Sequence, residues 1–231
     1  MSARDIVSDE AVLLSSLVPL DGARVVELGC GKAEFARRLV ERTPVAQVTA
    51  LEVDAIQHAK NLATAHPENL QFAFGGAEEI ALGDDSIDGV VMMKSLHHVP
   101  LGLLDQALGE IARVLKPGGW FYASEPVYAG EFNEIVKLFH DEGEVRAAAL
   151  AALGRANADG VLRQEHEIEF MAPLTFRDFD DFAERLIHAT HSHHSLSAER
   201  LAEVRARFDA HMTPEGAKFV RPMRVNLMRK P

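Results

Sequence analysis

Buried strands and amphipathic helices alternate along the first half of the chain, and this alternation constrains the fold more than any other feature. The segment 87–93 is apolar on both faces, as expected of a central strand in a parallel sheet. The predicted strands are residues 23–28, 47–53, 70–74, 87–93 and 120–124, and helical patterns lie between them. Repeated alternation of this kind predicts a doubly wound, mostly parallel α/β sheet.

The composition is that of an ordinary globular protein and excludes several other classes. Hydrophobic residues make up 47% and charged residues 26% of the 231 positions, so the chain can bury a sizeable core. The single cysteine, Cys30, excludes a disulfide scaffold. The formal net charge of −11 disfavours binding to nucleic acid or to an anionic membrane.

The start of the chain bears on its cellular location. No apolar stretch approaches the roughly 18 residues of a membrane span. The short apolar run at 11–20 follows Asp5, Asp9 and Glu10, whereas a secretory signal begins with basic residues. We therefore predict a cytoplasmic protein with no membrane association.

The pattern changes after residue 126, but no linker separates a second domain. We expect one domain over 1–231, with a helical cover at 1–20, a ligand-binding core at 21–126, and a lid insertion with sheet completion at 127–231. Phe132 and Phe139 belong to an apolar stripe that predicts a long helix from near Gly130, which could extend into 147–153. The stripe either packs as core or lines an apolar substrate pocket. A loop is predicted at 154–160 and a closing strand at 219–228.

The sharpest motif is the glycine-rich turn that follows the first predicted strand. Glu27 lies near the end of that strand, and Gly29 and Gly31 form the turn before a helix. Glycines let the backbone approach a ligand closely at a helix N-terminus. A dinucleotide site would have a third glycine at the sixth position, where Glu34 would instead repel a pyrophosphate. Glu27 beside the turn favours a cationic ligand.

This turn resembles the first motif of the class I S-adenosylmethionine-dependent methyltransferases. The resemblance implies that Glu27 serves the methionine end of the cofactor and that Gly29 and Gly31 contact it through their backbone. Ala33 stands where many members of the family have a third glycine. The cofactor carries a sulfonium and an ammonium, which agrees with the acidic residue beside the turn.

Further motifs extend the resemblance to roughly residues 20–126. Glu52 ends the second predicted strand, where the family binds the ribose hydroxyls, and Val53 is expected to flank the adenine. Gly76 replaces the aspartate common in the family after the third strand, so Ala77 or Glu78 is expected near the adenine. Met93 and Lys94 end the fourth strand. Lys94 replaces the apolar or aromatic residue of many relatives.

Three residues near the ends of the fourth and fifth strands are candidates for catalysis. His97 and His98 could act as a general base near the transferred methyl group, because histidine titrates near neutrality. The alternative is that they only pack at the strand end. Glu125 ends the fifth strand at the same sheet edge and is a candidate substrate contact.

A second group of histidines follows residue 187. Metal binding would need convergent ligands and a supporting acid, which the spacing of these residues does not provide. We therefore predict no metal site there. The histidines are His188, His191, His193 and His194.

Together these features predict a Rossmann-like α/β sheet with an antiparallel C-terminal strand and a helical lid. The predicted function is S-adenosylmethionine-dependent methyl transfer to a small-molecule acceptor. The alternatives are an RNA or protein methyltransferase, or a non-catalytic module that binds S-adenosylmethionine. The motifs determine neither the acceptor atom nor the oligomeric state.

Overall fold

The computed structural model describes residues 5–188 and 196–231. Eight helices and eight strands are described, besides two short 3₁₀ turns at Leu96–His98 and Leu101–Leu103. The helices are α1 Glu10–Leu17, α2 Glu34–Arg42, α3 Ala55–Ala63, α4 Leu104–Val114, α5 Glu131–Val136, α6 Gly143–Ala158, α7 Phe179–Leu186 and α8 Ala198–Asp209. The strands are β1 Arg24–Leu28, β2 Gln47–Glu52, β3 Leu70–Phe74, β4 Ile87–Met93, β5 Leu115–Pro126, β6 Arg163–Phe176, β7 Met212–Thr213 and β8 Gly216–Arg229.

The strands form one sheet in the order β3-β2-β1-β4-β5-β8-β6, and β7 pairs with β8. The neighbouring pairs among β1 to β5 are parallel. The end of β8 runs against the start of β5, because the Gly118 amide donates to the Lys230 carbonyl at 3.0 Å and the Lys230 amide donates to the Gly119 carbonyl at 2.9 Å. The predicted mixed sheet with an antiparallel C-terminal strand is therefore confirmed.

The chain divides into two compact units, each assembled from separate segments. The larger unit comprises Asp9–Glu125, Val145–Ile168 and Arg224–Pro231. The smaller unit comprises the described residues within 1–8, Pro126–Glu144 and Glu169–Met223. The assignment of 1–231 to one domain, and of 127–231 to a lid, stays a prediction.

The core of the larger unit lies between the central strands and helices such as α4. Val90 and Val91 are fully buried on opposite faces of β4, as their position in a parallel sheet requires. Gly89, on the same strand, leaves room for the Trp120 ring: a Cβ at that glycine would lie 2.1 Å from the indole. Leu104, Leu108 and Ile111 repeat at helical spacing and form the buried face of α4.

The smaller unit has a core of its own that is rich in phenylalanine. Phe182 is fully buried, and its ring centroid lies 5.3 Å from that of Phe176 and 4.9 Å from that of Phe208. Phe132 is only 6% exposed and stacks on Phe176 at 5.9 Å. Phe132 is therefore core packing within this unit, which is one of the two interpretations of the predicted stripe.

Two predicted boundaries in the second half of the chain are wrong. The long helix expected from near Gly130 is two helices, since α5 ends at Val136 and α6 begins at Gly143, whose amide is bound by the Asp141 carboxylate at 3.0 Å. The loop expected at 154–160 is mostly helix. A side chain at Gly154 would meet only open space, and this glycine does not interrupt α6. The helix ends at Ala158, shortly before Gly160, whose φ is +72°.

Within the described residues, no helix is long and apolar enough to cross a membrane.

Candidate functional site

The glycine-rich turn after β1 has the left-handed backbone that its sequence suggests. Gly29 has φ +67° and Gly31 has φ +53°. A Cβ at Gly29 would lie 2.7 Å from the Cβ of Ser95, whereas a Cβ at Gly31 would meet nothing within 4 Å. Ala33 also has a positive φ, 56°, a left-handed conformation that glycine adopts at lower cost than alanine. Gly29 thus permits close packing, and Gly31 leaves open space for a ligand.

Glu27 is a buried acid at this turn. Its carboxylate is 2% exposed, and Oε2 accepts a hydrogen bond from the Ala36 amide at 2.9 Å. Burial raises the pKa of Glu27 to about 8, and the positive charge of Lys94 opposes that rise. A buried acid of this kind is stabilised in its ionised form when a cation arrives beside it.

Glu52, at the end of β2, is held by backbone amides. Oε2 accepts from the Gly31 amide at 2.6 Å, and Oε1 accepts from the Val53 and Asp54 amides, each at 2.9 Å. The carboxylate of the second strand is thereby fixed directly beside the glycine turn of the first. An ionised carboxylate can accept further hydrogen bonds, so it remains suited to hydroxyl donors.

The segment that follows β3 closes another side of this region. A Cβ at Gly76 would lie 2.3 Å from Oε2 of Glu78, so the Glu78 carboxylate lies over Gly76 and would have to move to admit a side chain there. Ala77 is buried at 4% exposure. Val53, in contrast, is 57% exposed. Val53 therefore presents an apolar surface at the end of β2, and Glu78 supplies a polar group shortly after β3.

The end of β4 carries an unusual backbone conformation. Lys94 has φ +60°, a left-handed value that is uncommon for residues other than glycine. Its amide donates to the Ser124 carbonyl on β5 at 2.7 Å, and the hydroxyl of Ser95 donates to the Leu28 carbonyl on β1 at 2.7 Å. Met93 and Lys94 are both half-buried. This strand end is thus attached to both neighbouring strands.

His97 and Glu125 form a buried hydrogen-bonded pair. His97 Nδ1 contacts Oε2 of Glu125, and the Leu96 amide donates to Oε1 of the same carboxylate at 2.9 Å. Both side chains are almost fully buried, at 4% and 5% exposure. His98 is exposed, and its ring lies 4.1 Å from that of His97. The carboxylate therefore determines the orientation of the imidazole of His97.

Sequence reasoning missed one residue near this edge. Glu10, in the first turn of α1, accepts a hydrogen bond from the hydroxyl of Ser124 at 2.5 Å, next to Glu125. The only local signal was an acid in the first turn of a helix, a common helix-stabilising position. The helix α1 therefore has a polar contact with the end of β5.

Other residues that the sequence singled out lie elsewhere. Asp88 accepts from the Arg24 amide at 2.9 Å and from Lys116 at 2.5 Å, so it has a structural role at the start of β4. Burial raises the pKa of the Cys30 thiol, which disfavours the reactive thiolate. His188 is exposed after α7. His191, His193 and His194 lie outside the described residues.

The predicted cofactor and catalytic residues therefore share one edge of the larger unit. Parallel strands bring their carboxyl ends to the same side of a sheet, where open α/β sheets bind ligands. The residues placed there are Glu27, Gly29, Gly31, Glu52, Val53, Ala77, Glu78, Met93, Lys94, His97, His98 and Glu125.

Comparison with known proteins connects this edge to a family. Residues 25–119 match the family described as a methyltransferase domain. An uncharacterized methyltransferase of Mycobacterium tuberculosis is 36% identical over 103 residues, which are 45% of this chain and 40% of the relative. A fatty-acid O-methyltransferase of Mycolicibacterium smegmatis is 35% identical over 107 residues, 44% of this chain and 36% of the relative. The chain spans less than half of the length of these curated relatives.

The fold has a counterpart among solved structures. The YcgJ protein from Bacillus subtilis has a TM-score of 0.65 at 18% identity, and the match covers 95% of this chain and 97% of that one. At this identity the likeness concerns the fold alone. The matched segment 25–119 holds every predicted cofactor-binding residue.

Proposed function

We propose that this chain, whose residues 25–119 match a methyltransferase domain, is a class I S-adenosylmethionine-dependent methyltransferase that transfers the methyl group to a small-molecule acceptor. The observation that carries the proposal is the arrangement of two carboxylates at the glycine turn. Glu27 lies buried beneath the turn, and Glu52 binds the Gly31 amide across it. A cation with a neighbouring diol matches this pair better than a phosphate does.

The residues present fit the proposed cofactor. Glu27 would bind the ammonium of the methionine end, Glu52 the ribose hydroxyls, and the exposed side chain of Val53 one face of the adenine. Open space above Gly31 allows the backbone approach that the family motif implies. When bound, S-adenosylmethionine supplies a methyl group already activated by a sulfonium. The chain then has to align the acceptor near that methyl and exclude water.

The His97 and Glu125 pair supports a role in proton transfer. With Nδ1 hydrogen-bonded to the carboxylate, the neutral imidazole carries its lone pair on Nε2. A proton lost by a hydroxyl or amine acceptor would pass to Nε2. Glu125 would stabilise the imidazolium that results and hold its orientation. His98, which is exposed, is the weaker of the two histidine candidates.

Two observations favour a small acceptor. The formal charge of −11 opposes association with nucleic acid, and the relatives include a fatty-acid O-methyltransferase. Fatty acids are therefore the first acceptors to test.

The test combines binding with transfer. Calorimetry with S-adenosylhomocysteine measures cofactor binding, and S-adenosylmethionine labelled on the methyl group reports transfer to fatty acids and to a metabolite extract. We expect both binding and labelled product. Binding without product, with S-adenosylmethionine left intact, would support a non-catalytic module, and labelled RNA or protein would contradict a small acceptor.

Substitutions distinguish a role of His97 and Glu125 in catalysis from a role in cofactor binding. His97→Gln and Glu125→Gln should each lower kcat by about 10²-fold or more while S-adenosylhomocysteine affinity changes little. His66→Gln, at an exposed histidine after α3, is the matched control and should leave kcat unchanged. Unchanged kcat in His97→Gln would remove this residue from the mechanism.

A further inference from the structure

The backbone of Lys94 is more constrained than that of a lysine that only faces solvent. It adopts φ +60°, a conformation that costs free energy for a side chain with a Cβ, and such strain persists only where the surrounding structure enforces it. The enforcing contacts are the hydrogen bond from its amide to Ser124 and the one from Ser95 to Leu28. The lysine is thus held at the strand end between β1 and β5.

The charges around this point are mostly negative. The negative charges of Glu52 and Glu34 add to the effect of burial in raising the pKa of Glu27, and the positive charge of Lys94 opposes the rise. β4 pairs with β1 so that Val91 lies opposite Glu27, and Lys94 directly follows β4, so the two residues lie on neighbouring strands at the same sheet edge. A positive charge here opposes the cationic groups of a ligand and attracts an anionic group of a ligand.

The methionine end of the proposed cofactor is a zwitterion, with one ammonium and one carboxylate. Glu27 and Lys94 offer one charge of each sign on neighbouring strands of the same sheet edge. Resting on the proposed function, we propose that Lys94 binds the carboxylate of the methionine end, so that Glu27 and Lys94 together select ligands that carry a complete α-amino acid group. Lys94 would act as a specificity residue for the cofactor.

This role differs from simple neutralisation of Glu27. If Lys94 only balanced the charge of Glu27, its loss would weaken every ligand that binds at the turn to a similar degree. If it binds a carboxylate, the loss concerns only ligands that possess one. Ligands that share the adenosine but differ in the amino acid end therefore distinguish the two roles.

The experiment measures binding by calorimetry for S-adenosylhomocysteine, decarboxylated S-adenosylmethionine and 5′-methylthioadenosine. The variant is Lys94→Met, and Lys60→Met at an exposed position of α3 is the matched control. We expect Lys94→Met to weaken S-adenosylhomocysteine by about ten- to a hundredfold, the usual range for losing a charged hydrogen bond. The two ligands without a carboxylate should lose less than about threefold in affinity, and Lys60→Met should weaken none of the three.

A second variant guards against a folding defect. Lys94→Asn removes the charge and suits the left-handed backbone, because asparagine tolerates this region well. It should reproduce the selective loss of S-adenosylhomocysteine affinity with a normal melting temperature. An equal loss for all three ligands, or none for S-adenosylhomocysteine, overturns the carboxylate role while leaving the proposed function standing. Failure of the unaltered protein to bind any of the three ligands overturns both.

Discussion

An ordinary glutamate is ionised at neutral pH, but Glu27 takes up a proton when the protein folds. Burial raises its pKa to about 8, so below that pH the folded protein holds this carboxyl protonated. A cationic ligand favours the ionised form and lowers the pKa again. Ligand binding at Glu27 is therefore coupled to release of a proton.

We expect this coupling to appear in calorimetry near pH 7. Titration with S-adenosylhomocysteine in buffers of different ionisation enthalpy should show release of close to one proton, and affinity should rise with pH up to about pH 8. Glu27→Gln keeps an oxygen for the Ala36 amide and should release no proton. Equal proton release in the two proteins would show that another group titrates.

The raised pKa of Glu27 also makes the stability of the protein depend on pH. Between its ordinary pKa of 4.5 and about 8, the folded state binds the proton and the unfolded state does not. The free energy of unfolding therefore falls as pH rises through this window. Glu27→Gln should flatten the fall measured by urea unfolding at several pH values. A variant with the same slope as the unaltered protein would refute a raised pKa at this site.

Glu52 should be the residue on which cofactor affinity depends most. Glu52→Ala removes the proposed acceptor of the ribose hydroxyls and also the partner of the Gly31, Val53 and Asp54 amides. We expect S-adenosylhomocysteine affinity to fall at least about tenfold, because each hydrogen bond to a charged group contributes about 1.5–3 kcal/mol. Calorimetry measures the loss, and circular dichroism verifies the fold.

The matched control for Glu52 is Glu68→Ala. Glu68 is an exposed acid just before β3, at the other end of the strands. Its removal changes the net charge by the same amount and should leave affinity within about twofold. Unchanged affinity in a folded Glu52→Ala protein would contradict the ribose assignment.

At the scale of elements, β4 shows how one small residue allows a large one to pack. The Trp120 indole occupies the space beside Gly89, and a Cβ there would lie 2.1 Å from the ring. Gly89→Ala should therefore lower the free energy of unfolding by about 1–3 kcal/mol or more, the usual cost of overpacking a core. Urea unfolding followed by tryptophan fluorescence measures the change and reports displacement of the ring.

A second glycine provides the control for this prediction. Gly109 lies inside α4, and a Cβ there would meet nothing within 4 Å. Gly109→Ala should raise stability by about 0.5–1 kcal/mol, because alanine favours helix more than glycine does. If both substitutions had the same effect, packing against Trp120 would not explain the glycine on β4.

Elements with a regular hydrophobic pattern could be predicted from the sequence, and one without it could not. The strands β3 and β4 match their predicted bounds, because nearly every residue of β4 is apolar and turn residues flank both. The strand β6 went unpredicted. Its first half is polar and mostly exposed, so it lacks the alternation that a half-buried strand shows. Hydrogen bonding to β8, rather than burial, stabilises that part of β6.

At the scale of the whole molecule, each unit has a core of its own. Phe182→Ala should lower the free energy of unfolding by about 3–5 kcal/mol, because the ring is fully buried among other phenylalanines. Hydrogen exchange should locate the loss of protection in the smaller unit. S-adenosylhomocysteine affinity should stay within about twofold, since every proposed cofactor-binding residue lies in the larger unit.

The comparison variant is Phe121→Ala, at a fully buried position of β5 in the larger unit. It removes the same side chain and should weaken ligand binding as well as stability, because β5 forms part of the sheet edge. A folded Phe182→Ala protein that lost affinity to the same extent would contradict a cofactor site built from the larger unit.

The sequence by itself determined the parallel core and the positions of the acids at the strand ends. Burial periodicity and turn chemistry are local properties, so the order of strand, glycine turn and helix around Glu27 can be read without a structure. The structure leaves the cofactor and catalytic assignments as predictions, but it places those residues at one edge. The family resemblance added the cofactor class, which spacing alone does not specify.

Only the tertiary structure decided which side chains meet. Contact between His97 and Glu125, 28 positions apart, depends on how β4 and β5 pair, and the Glu52 bond to Gly31 depends on the pairing of β1 with β2. The strained backbone of Lys94 and the division of the second half of the chain between two units follow in the same way. Such contacts join residues distant in sequence, and local pattern carries no information about their geometry.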